Sequence, residues 1–400
     1  MHILLVTLGS YPATAWGGPV KVVYQNGREL VRRGHRVTIY CTNLMNKKQK
    51  ICPGTFEKDM EGMRIVYFDT WNLPWWPGTL GPIWLPDLSA YLEREVTGFD
   101  VVHLNGYRSP MILPIVRAAR RASVPIITQP HGTLPVQINT LFLKRVYDWL
   151  FGSMELEGIS ALVALQESER QQALFRGVPA DRIEIIPNGI DVHEREKSPE
   201  PGSFRRRFRL APDRPLILFL GRINTIKGTD MLVKAFAQLG NPSAQLAIVG
   251  PDDGQRAEVQ NLIQQFGLSD RAVITGLVSD SDKVAAFQDA DLFVLPSRYD
   301  AFPTTIMEAC LAGTPMVITD RCASASLVQD RVADVVPFDA DAFAAAMERL
   351  LTDHERHERY RRNSQSVIAD TFSIEAVVDR LETVYERVVA EKQKGRHPGG

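Results

Sequence analysis

The chain has 400 residues, of which 44% are apolar and 23% are charged, a balance typical of an ordinary globular protein. Its 46 lysines and arginines nearly equal its 47 acidic residues, and no nucleic-acid-binding motif is recognisable, so DNA and RNA are not expected partners. The four cysteines form no C-x-x-C pair, which favours a reduced, cytoplasmic protein, and no apolar run has the length needed to cross a bilayer.

Short apolar runs rich in Val and Ile alternate with helical patterns along the whole chain. The first, HILLVTL, lacks the flanking features of a signal peptide and is expected to be a strand. Those that follow in the first half are RVTIYC, RIVYFD, DVVHLN, PIITQP, ALVALQ and IEIIP, and those of the second half are LILFLG, QLAIVG, AVITG, LFVLP and PMVIT. Continuous rather than alternating hydrophobicity indicates strands covered on both faces, which predicts an α/β fold with parallel sheets.

One polar, proline-containing stretch, residues 188–215, interrupts this pattern and predicts a junction between two α/β domains. The expected ranges are 1–195 for the first domain, 196–375 for the second, 376–394 for a final helix that returns to the first, and 395–400 for a disordered tail. In such proteins, ligands bind at the carboxyl ends of strands and between domains.

The segment LILFLGRINTIKGTD predicts a strand, a short loop and a helix. Arg222 and Lys227 lie in the loop, where a planar guanidinium and a compact ammonium together suit a diphosphate. The alternative is that both are solvated loop charges.

The segment RYDAFPTTIMEACLAGTP carries two acids, Asp300 and Glu308. A helix is expected to start near Thr304 or Thr305 and to stop at Gly313, with Glu308 in its first turn. In one interpretation, Thr305 and Glu308 form a capping box and Asp300 is a surface acid. In the other, the carboxylates hold the hydroxyls of a ribose and a sugar, and the free helix amides between them bind a phosphate.

These motifs, in this order and with the segments IIPNGID, TQPHGTL and GGPVKVVYQNGRELVRRGHRVTIYC, resemble those of the family-four glycosyltransferases. The resemblance covers nearly the whole chain. It implies a retaining enzyme that uses a nucleotide sugar and consists of two Rossmann-like domains facing across a cleft, the GT-B fold.

The resemblance also implies roles for individual residues. The two acids of the family's E-x7-E motif fall on Asp300, which would contact the donor sugar, and on Glu308, which would bind the ribose hydroxyls. The basic pair that grips the diphosphate falls on Arg222 and Lys227. Backbone amides that meet the phosphates are expected at Phe302, Thr304 and Thr305, since Pro303 has no N–H group.

Two further predicted site elements lie in the first half of the chain. The family's glycine-rich loop falls on Gly17 and Gly18, where the backbone can approach a ligand closely. A histidine near the reacting sugar falls on His131. Glu167, Glu169 and His103 also follow strands, but we rank them lower, because QESER is typical of a helix start and His103 lies within DVVHLN.

No metal or other cofactor is expected, because Arg222 and Lys227 supply the positive charge. The two Asp-x-Asp strings, at residues 280–282 and 289–291, are interpreted as helix caps and turns. The sequence identifies no carboxylate nucleophile for a double displacement. The resemblance implies front-face transfer, in which the leaving diphosphate takes the acceptor's proton.

The expected partners are a UDP- or GDP-type sugar donor and a glycan or lipid-linked acceptor of cell-surface polysaccharide or glycolipid synthesis. The Trp-rich stretch from Trp71 to Trp84 and the segment containing Lys144 and Arg145 suit a peripheral membrane contact, or else pack on their own domain. Two other functions stay open: a nucleotide-sugar epimerase or hydrolase, and a non-catalytic nucleotide-sugar-binding protein.

Overall fold

A computed structural model describes residues 1–13, 16, 18–46, 48–72, 83–109, 111–134, 147–192, 199–300 and 302–395. The chain divides into two compact units. Unit 1 comprises Met1–Gly189 together with Ile374–Gly400, and unit 2 comprises Ile190–Ser373. The domain ranges expected from the sequence stay predictions.

Unit 1 contains, within the described residues, a sheet of eight strands in the order β10-β9-β8-β7-β1-β2-β4-β3. Its strands are β1 His2–Val6, β2 Arg36–Thr42, β3 Phe56–Met60, β4 Met63–Phe68, β7 Val101–Asn105, β8 Ile126–Gln129, β9 Ala161–Ala164 and β10 Ile183–Ile185, and a separate hairpin pairs β5 Trp71–Asn72 with β6 Ile83–Trp84. The pairs in the sheet are parallel except that β3 runs antiparallel to β4. The sequence FEKDM of β3 did not predict a strand, because it is mostly exposed and lacks a continuous apolar run.

The helices in the Met1–Gly189 part of unit 1 lie in the connections between its strands. They are α1 Gly18–Arg32, α2 Leu88–Glu95, α3 Ile112–Arg121, α4 Ser153–Leu156 and α5 Glu167–Phe175, with 3-10 turns at Val96–Gly98 and Ala180–Arg182 and a π-helical turn at Asp148–Gly152. Parallel strands need such crossovers, because the end of one strand and the start of the next lie at opposite edges of the sheet.

Unit 2 has a parallel six-stranded sheet in the order β13-β12-β11-β14-β15-β16. The strands are β11 Leu216–Leu220, β12 Gln245–Val249, β13 Ala272–Gly276, β14 Leu292–Leu295, β15 Met316–Thr319 and β16 Ala333–Val336. The helices are α6 Ser203–Arg207, α7 Thr229–Ala237, α8 Arg256–Gln265, α9 Asp280–Asp289, α10 Thr304–Ala312, α11 Ala325–Val328, α12 Ala340–Thr352 and α13 His354–Val367, with a 3-10 turn at Thr225–Lys227 and a π-helical turn at Ile368–Phe372.

The strand β11 explains why the continuous apolar runs predicted buried strands. Leu216 and Leu218 belong to the core on one face of the sheet, whereas Ile217 and Phe219 belong to the core on the other. Because successive side chains of a strand point to opposite faces, both sets must be apolar when helices cover both faces. The predicted α/β class with parallel sheets is confirmed.

The last helix, α14 Ile374–Gly395, follows unit 2 in sequence and packs in unit 1. Val378, Leu381 and Tyr385 are buried in the same core as Ile3 and Val37 of β1 and β2. The predicted disordered tail lies outside the described residues except for Gly395, which ends this helix. None of the helices in the described ranges combines the length and the apolar character needed to span a membrane.

Candidate functional site

The loop that carries Arg222 and Lys227 connects β11 to α7 at the carboxyl edge of the sheet of unit 2. The side-chain oxygen of Asn224 accepts a hydrogen bond of 3.0 Å from the backbone N–H of Lys227, which caps the 3-10 turn. Gly228 then has a φ of 67°, and a Cβ atom on it would lie 2.0 Å from the carbonyl oxygen of Pro296. Only glycine fits at this position, so the close approach of the loop to the end of β14 depends on Gly228.

Lys227 and Asp300 lie together at this edge. The ammonium Nζ of Lys227 contacts Oδ2 of Asp300, and their side chains are only 19% and 12% exposed. The backbone N–H of Asp300 donates to the carbonyl of Arg321 at 3.3 Å, and its carbonyl accepts from Ala323 at 2.9 Å. The predicted cation and the first predicted acid, 73 residues apart, therefore form a half-buried ion pair.

Arg222 has a partner that the sequence did not indicate. Its Nη1 donates to Oδ2 of Asp253 at 2.8 Å, and Nδ2 of Asn224 donates to the same oxygen at 2.8 Å. The Arg222 side chain is 64% exposed, so an ion pair here is weak.

The helix α10 has the predicted bounds, since it runs from Thr304 to Ala312 and ends at Gly313 with a φ of 76°. Glu308, however, is its fifth residue and lies in the second turn, so its predicted place in the first turn is wrong. The capping-box interpretation is also wrong, because Pro303 is the N-cap residue and no side chain caps the helix. The physical reason is that the chain enters the helix earlier than a cap at Thr305 requires.

Glu308 instead bonds to Lys283, whose Nζ lies 2.9 Å from Oε1. Lys283 belongs to α9, a helix that begins with a true capping box between Ser279 and Asp282. A small pocket opens beside this pair. It is lined by Ile190, Lys283, Val284, Phe287, Gln288, Glu308, Leu311 and Ala312. An apolar wall next to a carboxylate suits a ring that carries hydroxyl groups.

The predicted phosphate-binding amides lie at the start of α10. Thr304 and Thr305 are its first two residues, where backbone N–H groups have no partner within the helix. Phe302 is half-buried, and its ring meets the ring of Phe372 edge-on with centroids 6.2 Å apart. The helix amino terminus, with its positive partial charge, begins four residues after Asp300.

Arg298 braces the two loops of this site against each other. It donates to both carboxylate oxygens of Asp230 at 2.8 and 2.7 Å and to the carbonyl of Thr225 at 2.6 Å. Burial alone would raise the pKa of Asp230, but the bonds from Arg298 outweigh it and hold that pKa below its usual value. The ion pair ties the segment of Lys227 to the segment of Asp300.

In unit 1, the described residues include only one of the two predicted glycines. Gly18 is the first residue of α1, and Gly17 lies outside the described residues. His131 follows β8 with a φ of 52°, a left-handed conformation that is rare for residues other than glycine. Its Nε2 lies 3.0 Å from Oδ1 of Asn105, and burial lowers the pKa of His131 to about 4. The ring is therefore neutral at physiological pH.

The lower-ranked candidates of unit 1 have structural partners. Glu169 is buried and accepts from the backbone N–H groups of Gly132 and Leu165 at 2.7 and 2.8 Å, which supports the His131 loop. Glu167 is the exposed first residue of α5, as the helix-start interpretation expected. His103 is buried, and its Nδ1 lies 2.7 Å from the hydroxyl of Tyr385.

The Asp-x-Asp strings have structural roles, although the N-cap residue of α9 is Ser279 and not an aspartate of the first string. Asp282 completes the capping box of α9, and Asp289 accepts from the backbone N–H groups of Gly202 and Arg205 at 2.7 and 3.1 Å. Asp291 accepts from Arg205 and from the N–H of Leu216. In the part of the chain that the structure describes, no three His, Cys, Asp or Glu side chains are grouped to hold a metal ion. That transfer needs no metal stays a prediction.

Four residues that the motifs did not indicate complete the site: Asp253, Lys283, Arg298 and Asp230. Each acts through a partner at least 25 residues away in sequence, so no local pattern could have found it. The sequence did contain one indication of the loop's structure. Asn224 lies three residues before Lys227, which is the spacing at which an N-cap side chain accepts from a backbone N–H.

Two family models match the chain. The model described as Glycosyltransferase Family 4 matches residues 16–194, and the model described as Glycosyl transferases group 1 matches residues 202–367. Together they extend over both units.

Individual relatives match along nearly the entire chain. Alpha-D-kanosaminyltransferase from Streptomyces kanamyceticus is 28% identical, covering 97% of this chain and 100% of the relative. O-antigen chain mannosyltransferase C from Escherichia coli is 24% identical, covering 98% and 100%. Among solved structures, HepE of Anabaena in complex with UDP has a TM-score of 0.75 at 17% identity, covering 97% of this chain and 100% of that one. The structural similarity supports a shared fold.

Proposed function

The chain belongs to the family-four glycosyltransferases and has their GT-B fold, and we propose that it transfers a hexosyl group, with retention, from a nucleoside-diphosphate sugar to a hydroxyl group. The observation that carries this proposal is the contact of Lys227 with Asp300 beside the amino terminus of α10. A fixed cation and a helix amino terminus suit a diphosphate, and a carboxylate in contact with that cation suits the hydroxyls of the attached sugar.

The mechanism depends on charge that develops on the leaving group. As the bond between the sugar and the diphosphate breaks, negative charge grows on the phosphate oxygens, and Lys227, Arg222 and the amides of Thr304 and Thr305 stabilise it. A leaving phosphate oxygen takes the proton of the acceptor hydroxyl, which enters on the same face of the sugar. The sugar configuration is thereby retained without a covalent enzyme intermediate.

In the unliganded chain, two of the proposed donor-binding side chains form ion pairs that the donor must displace when it binds. The diphosphate takes Arg222 from the exposed carboxylate of Asp253, an exchange of low cost. The ribose hydroxyls take the place of the Lys283 ammonium at Glu308, and the pocket beside Glu308 receives the apolar face of the nucleoside. The complex of HepE with UDP supports a UDP-type donor, with GDP as the other candidate.

For the acceptor, we propose a glycan or lipid-linked hydroxyl used in cell-surface polysaccharide or glycolipid synthesis, reached from the cytoplasmic face of a membrane. The O-antigen relative supports the polymer class. Exposed aromatic residues of unit 1 support the membrane contact, since Trp149 and Phe175 are 84% and 94% exposed. Trp71 and Trp84 pack edge-on in the short hairpin and are also exposed. The Lys144 and Arg145 segment lies outside the described residues.

The donor is tested by thermal unfolding with UDP-, GDP-, ADP- and dTDP-sugars. A ligand at one hundred times its Kd stabilises the folded state by about 2.7 kcal/mol, so one nucleotide should stand out. The stabilising donor is then incubated with and without a lipid-linked glycan, and the anomeric coupling constant of the product is measured. Acceptor-dependent transfer with retention supports the proposal. Conversion of the donor alone would identify an epimerase or hydrolase, and binding without turnover would identify a binding protein.

The membrane contact is tested separately with vesicles containing anionic lipid. A Trp149→Ser, Phe175→Ser double variant should sediment with the vesicles less than the wild type does. A variant with Phe266→Ser, an exposed aromatic of unit 2, is the control. Equal sedimentation of all three proteins would remove the exposed aromatics of unit 1 as a membrane contact.

A further inference from the structure

The pocket beside Glu308 presents hydrogen-bond acceptors to a ligand. Nζ of Lys283 lies 2.9 Å from Oε1 of Glu308, whereas Oε2 has no hydrogen-bond partner among the residues that the structure describes. Gln288 lines the same pocket, and its buried Oε1 also has no partner among them. Buried acceptors are normally satisfied, so the pocket suits a ligand that brings O–H or N–H donors.

Glu308 has one of its two carboxylate oxygens paired before any ligand binds. Its side chain is 12% exposed, and the pocket around it has an apolar wall that includes Val284, Phe287 and Leu311. A ligand seated in this pocket removes water from the carboxylate, so each oxygen then needs a donor from the protein or from the ligand. The ammonium of Lys283 can supply one of these two donors.

Lys283 also has a second carboxylate within reach. It is the fourth residue of α9, near the helix amino terminus, where the helix dipole disfavours a cation and nearby acids offset that cost. Oδ1 of Asp280 lies 4.0 Å from Nζ of Lys283, and the Asp280 side chain is fully exposed. An ammonium released from Glu308 therefore keeps Asp280 and water as partners.

The two positions of the ammonium suit two kinds of nucleoside. With a ribose, the 2′- and 3′-hydroxyls donate to both oxygens of Glu308, and Lys283 moves to Asp280. With a 2′-deoxyribose, the single hydroxyl donates to Oε2, and Lys283 stays at Oε1. Neither complex leaves a carboxylate oxygen unpaired, and it is such an unpaired group that makes a site reject a ligand without the expected hydroxyl.

We propose that Lys283 is a specificity-determining residue, which makes the donor site accept 2′-deoxyribonucleoside diphosphates as well as ribonucleoside diphosphates. The inference rests on the proposed function, in which Glu308 binds the ribose, and deepens it by widening the class of donor. Lys283 takes the place of the missing hydroxyl.

The test is calorimetric titration of the full chain with two pairs of probes, UDP with 2′-deoxy-UDP and GDP with 2′-deoxy-GDP. These probes are the leaving groups of transfer, so the sugar need not be known. Lys283→Met removes the ammonium and keeps the apolar stem, whereas Lys283→Arg keeps a cation. Lys234→Met is the matched control, because Lys234 is an exposed lysine of the same unit.

In the wild type, the Kd values of the pair that binds should differ by less than about tenfold, because one hydroxyl is exchanged for the ammonium. In Lys283→Met, the deoxyribonucleotide should bind about tenfold more weakly, the value of one lost hydrogen bond to a charged group. The ribonucleotide should bind more tightly than to the wild type, because it no longer displaces the ammonium. Lys283→Arg and Lys234→Met should keep the wild-type ratio.

Opposite shifts separate this role from a structural one, because a distorted pocket would bind both nucleotides more weakly. A wild-type preference for the ribonucleotide above about tenfold would overturn the proposal, whether or not Lys283→Met folds. An unchanged ratio in a folded Lys283→Met protein would do the same. If the nucleotides bind in the expected ratios but no sugar is transferred, the proposed function fails and the role of Lys283 stands. If neither pair binds, both fail.

Discussion

Replacing Lys227 with alanine tests the diphosphate site most directly. The change removes the ammonium that contacts Asp300 and leaves the loop backbone intact, because the N–H of Lys227, not its side chain, bonds to Asn224. Two separate effects are expected. One acts on the folded state through Asp300, and the other acts on the transition state through the leaving group.

The structure sets the size of each effect. Asp300 is 12% exposed, and losing its cation should lower the free energy of unfolding by about 1–3 kcal/mol, the cost of an unsatisfied group that water partly reaches. In the transition state, removal of one fixed charge beside the developing anion should cost about 3–4 kcal/mol, which is a 10²- to 10³-fold loss of kcat. The increase in the activation free energy of transfer should therefore exceed the decrease in the free energy of unfolding.

The assay measures initial transfer rates at saturating donor, together with thermal unfolding of each protein. Lys234→Ala is the matched control, because Lys234 is an exposed lysine on the helix that follows the loop. The control should keep both its rate and its melting temperature. A folded Lys227→Ala protein that retains kcat within threefold of the wild type would refute the assignment of Lys227 to the leaving group.

Three further outcomes are expected. Burial lowers the pKa of His103 to about 3, so the unfolded chain binds one more proton than the folded chain below about pH 6.5. Between pH 7 and pH 5, the free energy of unfolding of His103→Leu should therefore fall by about 2 kcal/mol less than that of the wild type. His354→Gln, a change at an exposed histidine, is the control. Gly228→Ala should lower the melting temperature and abolish UDP binding measured calorimetrically. Gly254→Ala, where φ is 97° but the added Cβ meets no atom within 4 Å, should cost only the backbone strain of about 1–2 kcal/mol. Arg298→Lys should weaken donor binding about tenfold in the same titrations, because lysine cannot make the bidentate bond.

The local features of the site were predictable from the sequence. The run LILFLG, followed by a loop with Arg222 and Lys227, predicted the strand and the binding edge, and Gly313 marked the end of α10. The cap roles of the Asp-x-Asp strings were predicted for the same reason. Hydrophobic periodicity, caps and glycine conformations are governed by neighbours within about one turn, and neighbours in sequence are what a sequence displays.

Partners across the sheet edge were decided by tertiary structure. One of the two interpretations of Glu308 had it bond within its own helix turn, and it bonds instead to Lys283 from α9. Arg222 bonds to Asp253, and His131 bonds to Asn105 from the neighbouring strand. The order of the strands determines which loops meet at one edge of the parallel sheet. These bonds form between side chains of such neighbouring loops and helices, and spacing along the chain does not determine them.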